Sequence, residues 1–128
     1  MDKTSRKVLV VDDSTAFAGA IGLMLRFKGH TVKTAGNGKE ALLALEKEKF
    51  DLAIIDLMMP TMDGCELLSK IKKDNGLKDI HAVILSEENR TELKAKVLAL
   101  GASRFFVKPF KPKDFIDAME KMLNEEPF

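Results

Sequence analysis

The feature that most constrains the fold of this chain is the regular alternation of five short apolar runs with longer segments of helical period. Short apolar runs are typical of buried strands, and apolar residues three or four positions apart are typical of amphipathic helices. The runs predict five strands, at 7–11, 31–35, 52–55, 81–85 and 103–107. The other segments predict five helices, at 14–28, 38–48, 64–73, 88–100 and 113–123. This strict alternation predicts an α/β fold, in which an open, doubly wound sheet of five parallel strands has helices on both faces.

The composition of the runs also indicates where each strand lies in the sheet. The first, third and fourth runs are almost continuously apolar, as in parallel strands that are covered on both faces. The runs at 31–35 and 103–107 contain polar residues, and we place them at the sheet edges. Asn37 and Asp63 are suited to begin the second and third helices, and Gly101 to end the fourth.

Length, composition and charge restrict the class of protein. The 128 residues, 45% apolar and 32% charged, are typical of one globular domain, which we assign to 1–128. The net charge of +1 favours neither nucleic acid nor membrane surfaces as partners. The single cysteine, Cys65, excludes an internal disulfide, and the uncharged stretch from Ala16 to Leu25 is about half as long as a bilayer span. We expect a cytoplasmic protein with no direct nucleic-acid binding and no membrane insertion.

Polar residues follow four of the five predicted strands at, or within one residue of, their carboxyl ends. They are Asp12, Asp13, Asp56, Ser86 and Lys108. In an open parallel sheet the carboxyl ends of the strands share one rim, where such folds bind their ligands. We therefore expect these five side chains to lie close together, although nearly the whole sequence separates the first from the last.

The chemistry of these five side chains suits phosphoryl transfer. Three crowded carboxylates repel one another unless a cation lies between them, and oxygen ligands favour Mg²⁺ or Mn²⁺. With the cation held by Asp12 and Asp13, Asp56 can attack a phosphoryl group and form an aspartyl phosphate. Lys108 and the Ser86 hydroxyl can then stabilise the phosphoryl oxygens. A simpler role for Asp12 and Asp13 is to cap the first helix.

Four motifs in this chain resemble those of the receiver domain of two-component response regulators. They are VLVVDDS at 8–14, IIDLMMPTMDG at 54–64, ILS at 84–86 and FVKPF at 106–110. The resemblance covers essentially the whole chain. It implies a flavodoxin-like strand order, 2-1-3-4-5, and a phosphorylatable signalling switch rather than an enzyme.

The resemblance also implies a role for individual residues. Asp56 would accept a phosphoryl group from a histidine kinase or a histidine phosphotransfer protein. Asp12, Asp13, Asp56 and the backbone carbonyl of Met58 would bind the metal ion. The resemblance further implies a cis peptide bond between Lys108 and the proline that follows it.

Phosphorylation would be transmitted through Ser86 and Phe105. By the same resemblance, Ser86 moves toward the phosphoryl group and Phe105 swings into the vacated space. This would repack the face formed by the fourth helix, fifth strand and fifth helix, where a downstream protein or a second copy of the chain would bind. Basic residues predicted on this face favour an acidic partner: Lys94, Lys96, Arg104 and Lys111.

Two residues depart from the family pattern. Phe105 lacks a phenolic hydroxyl, so its switching would depend on packing. Glu87 follows Ser86 where the family usually has a small residue, and its side chain could crowd or repel a phosphodonor.

Alternative functions remain open. A receiver-like scaffold could bind its partner without phosphorylation. A Mg²⁺-dependent phosphatase acting through an aspartyl phosphate would need an acid two residues after the nucleophile, where this chain has Met58. The chain would be a chemotaxis-type single-domain regulator or the receiver domain of a longer protein.

Overall fold

The computed structural model describes residues 5–124, in which strands and helices alternate without exception. The strands are β1 (Lys7–Val11), β2 (Thr31–Ala35), β3 (Leu52–Asp56), β4 (His81–Ser86) and β5 (Arg104–Val107). The helices are α1 (Thr15–Phe27), α2 (Gly38–Lys47), α3 (Gly64–Lys73), α4 (Thr91–Ala99) and α5 (Pro112–Asn124). All strand pairs are parallel, in the order β2-β1-β3-β4-β5. The predicted fold class, strand order and edge strands are therefore confirmed.

The core consists of two apolar layers, one on each face of the sheet. Alternate side chains of β1 and β3 point to opposite faces, because the side-chain period of a strand is two. Leu9 and Ile55 pack with α2, α3 and α4, whereas Val10 and Ile54 pack with α1 and α5. Every residue of β3 is buried, including Asp56. Within residues 5–124, no helix combines the length and the apolar character that crossing a bilayer requires.

Most predicted helix ends are confirmed by their hydrogen bonds. Asn37 Oδ1 accepts from the backbone N–H of Glu40, and Asp63 Oδ1 accepts from that of Glu66, both at 2.9 Å. Gly101 follows α4 with φ of +112°, a conformation that favours glycine at a helix end.

The predicted start of the fourth helix, residue 88, is wrong: α4 begins at Thr91. The chain before it is held as a loop by its own polar groups. The Ser86 hydroxyl accepts from the backbone N–H of Glu88 at 2.9 Å, and the Glu88 carboxylate pairs with Arg90 at 2.7 Å. The other predicted ends differ from the observed ones by no more than one residue; for example, β3 includes Asp56.

Candidate functional site

Three carboxylates meet at the carboxyl ends of β1 and β3. The two strands are neighbours in the register Val11 opposite Ile55, so Asp12 and Asp56 emerge side by side. Carboxylate oxygens of Asp12, Asp13 and Asp56 lie within 4.8 Å of one another. Asp12 and Asp56 are buried, whereas Asp13 is exposed to solvent.

Lys108 brings a positive charge to these carboxylates from the end of β5. Its Nζ lies 3.1 Å from Asp56 Oδ1 and 3.3 Å from Asp12 Oδ2. Its backbone N–H donates to the Ser86 carbonyl at 2.7 Å, which aligns the chain after β5 with the end of β4. The peptide bond between Lys108 and Pro109 is cis, as the resemblance implied.

The ionisation of the site reflects burial and crowding. Burial raises the pKa of Asp56 above its ordinary value of 3.8; Lys108 opposes this effect, and the charges of Asp12 and Asp13 reinforce it. Burial lowers the pKa of Lys108, but hydrogen bonds and charges from Asp56 and Asp12 outweigh this effect and raise the pKa overall. The lysine is therefore charged at neutral pH and offsets only part of the repulsion among the carboxylates.

The acidic cluster fits a hard divalent cation. Such ions take oxygen ligands, commonly a few carboxylates together with water molecules. Asp12, Asp13 and Asp56 present carboxylate oxygens close enough to share one ion. The raised pKa of Asp56 indicates that the site would gain from a further positive charge.

Ser86 ends β4, next to the strand that carries Asp56. Its side chain is buried, and its hydroxyl oxygen accepts from the Glu88 backbone N–H. The hydroxyl acts only as the acceptor in this bond, so its own hydrogen is still available to be donated.

Two other predicted residues lie near the rim, and their roles stay predictions. The Met58 side chain is exposed in the loop after Asp56, as expected if only its backbone carbonyl acted at the site. Phe105 is half-buried and packs against the apolar layer that contains Val97 of α4. Its side chain therefore faces the side of the sheet on which α4 packs.

Ser14, Phe17 and Gly64 also shape the site, although the sequence did not indicate it. The Ser14 backbone N–H donates to Asp12 Oδ1 at 2.9 Å, and the Ser14 hydroxyl caps α1 by accepting from the N–H of Phe17 at 3.2 Å. Ser14, rather than either aspartate, is thus the residue that caps the helix. The Phe17 ring faces Lys108, with Nζ 4.2 Å from the ring centroid.

Gly64, the first residue of α3, packs directly against the chain that follows the central strand. A Cβ atom here would lie 2.8 Å from Leu57 Cα and 2.9 Å from the Asp56 carbonyl oxygen. Both neighbours are backbone atoms, which cannot move aside as a flexible side chain can. The glycine after a helix-capping aspartate was a visible signal, but only the structure reveals the close approach.

Glu87 is exposed beside the site. It lines a groove of about 600 Å³ together with Phe17, Lys108, Pro109 and Phe110. An anion that approaches Lys108 along this groove therefore meets a negative charge at its edge.

Comparison with known proteins agrees with this architecture. The profile of the response regulator receiver domain family matches residues 8–120. The DNA-binding response regulator MtrA of Mycobacterium tuberculosis is 33% identical over 116 residues, which are 91% of this chain and 50% of that protein. The probable transcriptional regulator ycf27 of Pyropia yezoensis is 34% identical over 114 residues, which are 89% of this chain and 46% of that protein. The chain spans about half the length of these relatives.

Solved structures show the same fold. The chemotaxis response regulator CheY4 of Vibrio cholerae superposes with a TM-score of 0.87 at 34% identity, over 93% of this chain and 99% of that one. A CheY-like receiver domain protein from Methanospirillum hungatei also gives 0.87, at 30% identity, over 94% of this chain and 95% of that one. With the family profile matching nearly the whole sequence, this chain belongs to the response regulator receiver domain family of two-component signalling.

Proposed function

We propose that Asp56 is the phosphoacceptor of a signalling switch and takes its phosphoryl group from a phosphohistidine of a histidine kinase or histidine phosphotransfer protein. The observation that carries the proposal is the contact between Lys108 and Asp56, 3.1 Å long, at a rim where three carboxylates meet. One lysine compensates only part of the charge of three crowded carboxylates, two of them buried, and such an incompletely compensated cluster supports a role in chemistry.

The transfer follows from the positions of these groups. A carboxylate oxygen of Asp56 forms a bond to phosphorus as the bond between phosphorus and the donor nitrogen breaks, and the nitrogen keeps the electron pair. The Lys108 ammonium is placed to neutralise a phosphoryl oxygen, and the Ser86 hydroxyl can donate a hydrogen bond to another. Asp12, Asp13 and Asp56 would hold Mg²⁺ or Mn²⁺, with the Met58 carbonyl as a further ligand, and this ion would supply additional charge neutralisation.

The read-out of phosphorylation is proposed to pass through α4. Within α4, all of whose residues the structure describes, only Val97 is buried. Among the residues that the structure describes, Arg90 precedes the helix, and its side chain makes no capping hydrogen bond to the first turn. A helix with little buried surface and a weak start is easily displaced. Movement of Ser86 would free the Glu88 amide, and Phe105 beneath α4 could then repack.

The partner surface proposed for the switch is the face formed by α4, β5 and α5. Lys94, Lys96, Arg104 and Lys111 are exposed there. Their positive charge fits an acidic downstream protein, or an acidic region of a second copy of the chain. Rearrangement of α4 would change the spacing of these charges and hence the affinity for the partner.

Intact-mass measurement after incubation with acetyl phosphate, with and without Mg²⁺, tests the proposal. We expect one phosphoryl adduct that requires Mg²⁺ and is absent from Asp56→Asn. The matched control is Asp51→Asn. Asp51 is an exposed aspartate that directly precedes β3, at the end of the strand opposite to Asp56, and this variant should be labelled like the wild type.

A scaffold that works without phosphorylation is the second candidate, and Glu87 at the groove edge favours it. If the wild-type protein carries no adduct, the Glu87→Ala variant separates the two functions. Labelling of that variant would mean that Glu87 excludes acetyl phosphate and that a specific protein donor is needed. The absence of labelling in both proteins would favour the scaffold.

A further inference from the structure

Phe17 contacts the lysine that pairs with the acidic cluster. The ring belongs to the first turn of α1 and is half-buried, and its centroid lies 4.2 Å from Lys108 Nζ. A lysine ammonium at this distance is attracted by the negative face of an aromatic ring. The ammonium thus has three attractive neighbours, of which two are the carboxylates of Asp12 and Asp56.

The ring restricts a side chain that is otherwise flexible. Lysine carries its charge on four methylene groups with many rotamers, and two carboxylates would draw the ammonium onto themselves. Attraction to the Phe17 ring adds a third contact to these two ion pairs and so restricts the positions open to the ammonium beside Asp56.

Contacts among four residues form a closed circuit around the ammonium. Asp12 Oδ1 accepts from the Ser14 backbone N–H at 2.9 Å, and Ser14 Oγ accepts from the Phe17 N–H at 3.2 Å. The Phe17 ring contacts Lys108, and Lys108 Nζ returns to Asp12 Oδ2 at 3.3 Å. The helix turn that carries the ring is therefore tied to a carboxylate of the site itself.

Other aromatic rings support Phe17 from behind. Phe110 meets it edge to face, with ring centroids 6.1 Å apart and an interplanar angle of 74°. Phe110 in turn stacks on the fully buried Phe115 at 4.5 Å. Because the half-buried Phe110 rests on a ring of the core, Phe17 has a firm support and can position the lysine.

We propose that Phe17 is a positioning residue for phosphoryl transfer, which it favours by holding the Lys108 ammonium over the acceptor site through a cation–π contact. This inference rests on the proposed function of Lys108 and Asp56. It assigns a role in the reaction to a residue of α1 that lies outside the rim motifs.

The first test compares initial rates of labelling by acetyl phosphate with Mg²⁺. Phe17→Leu keeps the apolar bulk but loses the ring, and we expect its rate to fall about fivefold, the scale of a cation–π contact partly shielded from water. Phe17→Tyr keeps the ring face and should stay within about twofold of the wild type. The matched control is Phe27→Leu, the same change on the same helix at a residue that is 91% exposed, and its rate should not change. A Phe17→Leu protein that is labelled as fast as the wild type overturns the proposal.

A double-mutant cycle separates positioning from packing. The free energies of unfolding of wild type, Phe17→Leu, Lys108→Met and the double variant are measured in urea without metal. If the two side chains interact, either single substitution already removes the contact. Adding the other substitution to that variant should then lower the free energy of unfolding by less than it does in the wild type. Additive effects would mean that Phe17 acts only through packing and would overturn the proposal.

A fluorinated ring tests the contact without relying on correct folding of the leucine variant. Replacing Phe17 by a ring-trifluorinated phenylalanine preserves shape and packing but weakens the negative face of the ring, so the labelling rate should fall while the unfolding midpoint changes little. An unchanged rate counts against the cation–π contact. If the wild type is not labelled, the ring variants are compared in the Glu87→Ala background. The proposed function fails if that background is not labelled either, whereas only the role of Phe17 fails if labelling occurs and the ring variants match their parent.

Discussion

The hydroxyl oxygen of Ser86 accepts a hydrogen bond from the backbone N–H of Glu88 at 2.9 Å. This bond joins the end of β4 to the loop that leads into α4. The residue proposed to donate to a phosphoryl group is therefore the same residue that holds the start of this loop. Any movement of the hydroxyl toward Asp56 would leave the Glu88 amide without its acceptor.

The Glu88 amide should report this movement by hydrogen exchange. We expect its exchange to become about fivefold faster when beryllofluoride and Mg²⁺ occupy the site, because a hydrogen bond of this kind contributes about 1 kcal/mol. In Ser86→Ala the amide should exchange fast already, with no further change on adding beryllofluoride. NMR-detected exchange measures both cases. The control is the Lys7 amide, which donates to Asp51 Oδ2 at 2.8 Å at the opposite ends of the strands; equal acceleration of both amides would contradict the prediction.

Gly64→Ala should damage both stability and phosphorylation. Its Cβ would come within 3.0 Å of backbone atoms of Asp56 and Leu57, so the loop after the phosphoacceptor must move. Such overpacking costs about 1–3 kcal/mol. Urea unfolding measures the loss, and acetyl phosphate labelling should slow in the same variant.

Gly19→Ala is the matched control for this substitution. Gly19 lies inside α1 with no atom within 4 Å of its added Cβ, so alanine should stabilise the helix by about 1 kcal/mol. Destabilisation of both variants would show that the close approach at Gly64 is not the cause.

The sequence predicted the fold and the rim residues because both follow from local patterns. Apolar runs mark the strands, and parallel strands bring their carboxyl ends to one rim, so Asp12, Asp56 and Lys108 had to meet there. The start of α4 was missed because hydrogen bonds of Ser86 and Glu88 compete with helix formation. The sequence did not indicate the role of Phe17, because its contact with Lys108 joins positions that are distant in sequence and no periodicity reveals it.

Glu87→Ala should accelerate labelling by acetyl phosphate. Glu87 is exposed on the groove that also contains Lys108, so it repels an anionic donor. We expect a gain of about twofold to threefold at low ionic strength that disappears in about 1 M salt, where charges are screened within roughly 3 Å. The control is Glu92→Ala, which removes an exposed glutamate from α4. A gain that persists at high salt would indicate crowding by the side chain rather than repulsion.

Asp56→Asn should make the metal-free protein more stable at neutral pH. Burial raises the pKa of Asp56 in the folded state above its ordinary value of 3.8, even after the opposing effect of Lys108. The folded state therefore binds the proton more tightly than the unfolded state does, and ionisation of Asp56 destabilises the fold at every pH above the folded pKa. Asparagine resembles the protonated acid, so the variant should melt at a higher temperature than the wild type near pH 7.

The pH dependence of this gain identifies its cause. The difference in melting temperature between Asp56→Asn and wild type, measured in EDTA, should be largest near pH 7. It should shrink as the pH falls through the folded pKa and vanish below 3.8, where both states of the wild type are protonated. Asp51→Asn provides the comparison, because this exposed carboxylate accepts from the Lys7 N–H at 2.8 Å and gives no reason to expect a gain. A gain at Asp56 that does not change with pH would mean that packing, and not the buried charge, limits stability at the phosphoacceptor.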